Sequence, residues 1–130
     1  MPVVIINMQP GYMNKILLIN NDLDSMKLLK QWLETKAYQV KFTTSRQEVP
    51  HLMREFMPEI VMVDIMQKEV IHDLKENENT RNVLILLMSG YTKGHNYLQL
   101  SVDDIIEKPF NLPLLELKLK KLLKKAGQII

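Results

Sequence analysis

"KILLINND", residues 15–22, runs four consecutive aliphatic side chains straight into two asparagines and an aspartate. An uninterrupted apolar run of this length, closed by turn-forming residues, is the pattern of a strand buried on both faces. The same kind of run recurs at EIVMVD (59–64) and VLILLMS (83–89), while YQVKFTT (38–44) adds an alternating, β-rich segment and VDDIIEK (102–108) a short strand. Helix-like stretches separate them. Residues 24–36 place Met26, Leu29 and Leu33 at helical spacing behind Asp22 and Asp24 as capping candidates. In residues 46–57 Pro50 fits only a first turn, so that helix starts late. A short helix is expected over 69–76 and another over 92–100. The last begins after Asn111, with Pro113 in its first turn. Strand and helix alternate five times, which predicts an α/β fold with a doubly wound, five-stranded parallel sheet.

Composition narrows the function without naming it. The 130 residues fit one domain; 46% are hydrophobic and 25% charged, an ordinary soluble mixture. Cysteine is absent, so neither a disulfide framework nor a thiolate metal site is available, and a cytoplasmic setting is the expectation. No apolar run approaches the roughly 18 residues of a membrane span. The net charge is +2, but five of the seventeen Lys and Arg residues fall in KLKKLLKK (118–125), a local basic face. Residues 1–13 precede the pattern and are expected to form a poorly ordered extension, with the domain over 14–126 and a tail at 127–130.

In such sheets ligands bind beyond the carboxyl ends of the strands. The polar residues there are Asn20, Asn21 and Asp22 after the first strand, Asp64 ending the third, Ser89 the fourth and Lys108 the fifth. Two amides, two carboxylates, a hydroxyl and an ammonium thus converge on one rim. Each alone is an ordinary strand-end residue; their arrival at four strand ends is what points to a site. No GxGxxG or GxxxxGK[ST] follows the first strand, which excludes the dinucleotide and P-loop chemistries. His51, His72 and His95 lack metal-ligand spacing, and Ser89 has no GxSxG around it. A dehalogenase-type phosphatase needs a second acid two residues after its aspartate, where Met66 stands.

PEIVMVDIM (58–66), LILLMSGYT (84–92) and IIEKPF (105–110), following KILLINND, resemble a response-regulator receiver domain of the CheY type over residues 14–126. The resemblance implies a flavodoxin/CheY-like (βα)5 sheet of strand order 2-1-3-4-5. It also implies a signalling domain rather than an enzyme. Asp64 would be the phosphoacceptor, receiving its phosphoryl group from a histidine kinase or phosphotransfer protein. Lys108 and Ser89 would stabilise the phosphate. Magnesium would be held by Asp64, by Asn21, by the main-chain carbonyl of Met66 and by Asn20 through water.

The departures from the family pattern all lean toward a receiver without efficient phosphorylation. Two acids usually occupy positions 20 and 21, whereas an amide carbonyl ligates a hard cation without charge. A unit charge pair at about 4 Å is worth roughly 4 kcal/mol at an effective dielectric of 20, so a weakened or absent magnesium site is expected. Asp22, one residue late, is a candidate for partial compensation. Without neighbouring acids Asp64 is free to pair directly with Lys108. The loop after Asp64 lacks the usual proline and glycine, and the third and fourth helices are expected to be short. Ile105 stands where an aromatic switch residue usually follows the movement of Ser89. Two readings stay open: a phosphorylated receiver, and a pseudo-receiver acting as a phosphate-independent interaction module.

The final helix offers the partner surface. At about 100° per residue, Leu112, Leu119, Leu122, Leu123 and Ala126 fall on the side of Leu115, the expected core stripe. Leu114 and Leu117 fall outside it with Lys118 and Lys121. That face is expected to receive a downstream protein or a second copy of the chain, through the fourth helix, fifth strand and fifth helix. Neither nucleic acid nor membrane is an expected partner.

Overall fold

The first apolar run pairs on both sides, and the sheet grows outward from it. In the computed structural model, which describes residues 14–90 and 100–127, β1 (Asn14–Ile19) lies between β2 (Tyr38–Thr43) and β3 (Ile60–Asp64). β4 (Leu84–Ser89) and β5 (Asp104–Glu107) follow, all parallel, in the order β2-β1-β3-β4-β5. Four helices among the described residues connect or flank them: α1 (Leu23–Thr35), α2 (Val49–Phe56), α3 (Glu69–Glu76) and α4 (Leu112–Lys125). This is the doubly wound parallel sheet expected from the alternation, in the flavodoxin/CheY-like strand order that the resemblance implies. The expected helix over 92–100, apart from its last residue Leu100, and the extension at 1–13 lie outside the described residues, as does 128–130 of the tail.

Alternation along each strand sends side chains into two separate cores. Ile16, Leu18, Met62, Leu86 and Met88 pack on one face with Met26, Leu29 and Leu33 of α1 and Leu115, Leu119, Leu122 and Leu123 of α4. Leu17, Ile19, Val61, Val63, Ile85 and Leu87 pack on the other with Val49 and Met53 of α2 and Val70, Ile71 and Leu74 of α3. Burial of both faces explains why the strands read as continuous apolar runs rather than alternating ones.

Local signals set the helix ends. The Asp22 side chain accepts the Ser25 N–H and caps α1, and Asn111 accepts the Leu114 N–H at 3.0 Å and caps α4. A 3-10 turn over Arg46–Glu48 precedes α2, which therefore starts late with Pro50 in its first turn, as expected. On α4 the core stripe stops at Leu123: Ala126 is exposed, because it is the cap residue beyond the last helical turn. Leu112 is half-buried against the core, and Leu114 and Leu117 are exposed.

Candidate functional site

Parallel pairing brings the strand ends to one rim. Asp64 is in register with Met88, and Ser89 with Glu107, so the ends of β3, β4 and β5 step across the sheet one residue apart. The main chain continues the pairing past β5, since the Lys108 N–H donates to the Ser89 carbonyl at 2.8 Å. Lys108 leads into Pro109 through a cis peptide. Asn20, Asn21, Asp64, Met66, Ser89 and Lys108 all border one hollow of about 620 Å³. The residues selected from strand ends are therefore the ones brought together. Ile105 does not border it; it packs against the α2/α3 core.

The hollow is closed electrostatically upon itself. The Lys108 ammonium donates to Asp64 Oδ2, forming an ion pair whose carboxylate is buried and whose ammonium is about one-third exposed (5% and 32%). The other Asp64 oxygen accepts the Met66 N–H at 2.8 Å from the 3-10 turn Ile65–Gln67. Asn20, itself buried, accepts the Asp22 N–H on its Oδ1 at 3.1 Å. Asn21 Oδ1 accepts the Gln67 side-chain N–H at 2.6 Å, and the same Gln67 nitrogen donates to the Thr44 carbonyl at 3.2 Å. One amide thus ties the loop after β3 to the loops after β1 and β2.

Asp22 does not compensate for the missing acids. Its two oxygens accept the Ser25 hydroxyl at 2.6 Å and the Ser25 N–H at 3.2 Å, and these bonds hold its carboxyl below the usual carboxylate range. Sequence reasoning missed Gln67 and Lys68. Lys68 borders the hollow beside Asp64, at the N-cap of α3, and forms no ion pair with any described residue. The only signal for either was their place in the loop directly after Asp64.

Receiver domains typically hold magnesium at the phosphorylation site. Magnesium demands near-octahedral oxygen ligands at about 2.0–2.1 Å. Among the described residues no group of three acids, histidines or cysteines could hold a metal. The side-chain oxygens of Asn20, Asn21, Asp22 and Asp64 at the pocket each already accept a hydrogen bond from the chain itself. The donor set, as folded, does not fit the ion.

The family model for the response regulator receiver domain matches residues 16–120. The chain belongs to that family. Among curated relatives, this receiver is 27% identical to the transcriptional regulatory protein CpxR homolog of Haemophilus influenzae, over 88% of this chain and 52% of that protein. It is 22% identical to the probable transcriptional regulator ycf27 of Guillardia theta, over 88% and 47% respectively. The chain thus spans about half the length of the curated relatives it matches. Among solved structures, it resembles the signal receiver domain of a DNA binding response regulator from Colwellia psychrerythraea. That match has a TM-score of 0.76 and 26% identity, over 85% of this chain and 98% of that one. The chemotaxis protein CheY4 of Vibrio cholerae shares the fold with a TM-score of 0.78 at 17% identity, over 86% and 100%. No helix among the described residues is long and apolar enough to cross a membrane.

Proposed function

We propose that Asp64 is the phosphoacceptor of this receiver and that Lys108 and Ser89 stabilise the phosphoryl group on it. The observation that carries this reading is the Lys108–Asp64 ion pair at the mouth of a hollow roomy enough for a phosphoryl group. An Asp64 oxygen attacks the phosphorus of a phosphohistidine on a kinase or phosphotransfer protein. The P–N bond breaks as the P–O bond forms, and the imidazole leaves carrying its electron pair and takes up a proton. Charge moves from the carboxylate to the phosphoryl oxygens, and Lys108 follows it without leaving the pocket. Ser89 follows Met88, the register partner of Asp64 on β4, and supplies a hydroxyl donor from a fully buried position.

The output surface in this reading is the exposed side of α4, where Leu114 and Leu117 are 42% and 49% exposed. Lys121 is exposed beside them, while Lys118 is held by Asp104 of β5 at 3.1 Å. A downstream protein or a second copy of the chain is the partner proposed for this face. Because Ile105 is packed toward the α2/α3 core and is not aromatic, transmission from Ser89 to α4 does not use an aromatic side chain at that position.

A second reading draws on the engaged oxygens of Asn20, Asn21 and Asp64: a phosphate-independent interaction module. One experiment separates the two. The chain is incubated with acetyl phosphate and its intact mass measured, with Asp64→Asn in parallel. Gain of one phosphate by the wild type and not by the variant supports the first reading. No gain under any cation condition leaves the second.

A further inference from the structure

The pocket has exchanged the acids of its family for neutral amides while keeping a cation in the loop after Asp64. Among the described residues, the charged side chains bordering the hollow are Asp22, Asp64, Lys68 and Lys108, which balance to zero. With acids at positions 20 and 21 the same hollow would carry two further negative charges. A phosphoryl dianion entering an acidic hollow needs a divalent cation to offset the repulsion. Entering a balanced hollow bordered by amides and two ammonium groups, it meets no net negative charge from these side chains.

Two further observations point the same way. Gln67 spends its N–H donors on Asn21 Oδ1 and Thr44, occupying the oxygen through which Asn21 would ligate a metal. The same amide ties the loops after β1, β2 and β3 to one another. Lys68 is exposed, borders the hollow, and forms no ion pair with any described residue, so its charge is available to an incoming anion.

We infer that this receiver binds its phosphoryl group without a divalent metal, with Lys68 supplying the second positive charge and the Gln67–Asn21 bond closing the metal position. The inference rests on Asp64 being the phosphoacceptor, but its central claim about charge is testable separately. Lys68 is exposed, and its replacement leaves both cores intact.

The test uses the full chain labelled with nitrogen-15, in three arms, with Lys68→Gln alongside the wild type. In the first, magnesium chloride is titrated to about 20 mM, well above what a charged carboxylate site needs. The amides of residues 20–22, 64–68 and 108 are expected not to move; saturable shifts overturn the inference. In the second, acetyl phosphate is supplied with EDTA or with magnesium. Mass gain at rates within about twofold of each other, and about tenfold slower in Lys68→Gln, is expected. Gain that requires magnesium, or that ignores Lys68→Gln, overturns the inference. Absence of gain in both conditions counts against Asp64 as phosphoacceptor, and the third arm then decides. There, inorganic phosphate in EDTA is expected to shift the pocket amides, about fivefold more weakly in Lys68→Gln. No shift, or equal shifts in both proteins, overturns it.

Discussion

Lys108 and Asp64, forty-four residues apart in the chain, close on each other at the ends of β5 and β3. The pair joins a buried carboxylate to an ammonium at the same rim, and it makes the pocket electrically quiet. Removing one partner of such a pair strands the other. Lys108→Met is therefore expected to lower stability by roughly 1–3 kcal/mol, discounted because the ammonium is partly exposed. Asp64→Asn/Lys108→Met should recover part of that loss. Urea unfolding of the two single variants and the double measures the coupling, and strict additivity would show that the pair contributes nothing.

Restoring the acids should restore the metal. In Asn20→Asp/Asn21→Asp, two carboxylates crowd Asp64, and the Gln67 bond to position 21 no longer spares the pocket a cation. Without magnesium the variant is expected to be less stable than wild type by roughly 1–2 kcal/mol. Magnesium should reverse the deficit and bind saturably in a calorimetric titration. A variant indifferent to magnesium would mean that positions 20 and 21 are not where the ion's ligands belong.

Tyr38 makes the fold sensitive to alkali. Burial, with the Glu116 carboxylate adding to it, pushes its phenol from 10.0 up to about 12. The neutral form is favoured in the folded chain, so the stabilisation is complete below pH 10 and is lost as pH rises toward 12. That loss amounts to roughly 2–3 kcal/mol. Tyr38→Phe should remove most of the decline between pH 10 and 12, as read by denaturant midpoints. A slope unchanged by the substitution would assign the alkaline transition to other groups.

Neighbouring leucines on α4 should behave oppositely. Leu119 is fully buried and Leu117 is 49% exposed. Leu119→Ala is expected to cost about 2–5 kcal/mol, and Leu117→Ala under about 0.5 kcal/mol. If the exposed face receives a second copy, Leu114→Ser/Leu117→Ser should shift sedimentation equilibrium toward monomer while leaving the unfolding midpoint in place.

The helix cap at Asn111 gives a local check. Its side chain holds the Leu114 N–H at the start of α4, so Asn111→Ala should cost about 1 kcal/mol. Asn111→Asp keeps the acceptor and should cost little. Equal losses in both would mean that the cap does not contribute as drawn.

Most of the fold was legible because its signals are local. Strands buried on both faces must be apolar throughout, so Ile16–Ile19, Ile60–Val63 and Leu84–Met88 announce themselves. Asn111 and Pro113 mark a helix start through hydrogen-bonding and φ preferences that depend on nearby residues. Even the rim of the site followed, because a parallel sheet places its carboxyl ends together wherever the helices run. Ala126 was misplaced for the complementary reason: periodicity continues past a helix end, whereas the backbone stops at the cap.

By itself the sequence determined that Asp64, Ser89 and Lys108 would share a rim and that Asn20 and Asn21 would bring no charge to it. Which oxygens are already spoken for was decided only in three dimensions. Asn21 meets Gln67 across forty-six residues, and Lys118 turns to Asp104. Each of these is a competition among donors and acceptors within hydrogen-bond reach. Reach depends on strand order and loop path, and residue spacing along the chain does not encode it.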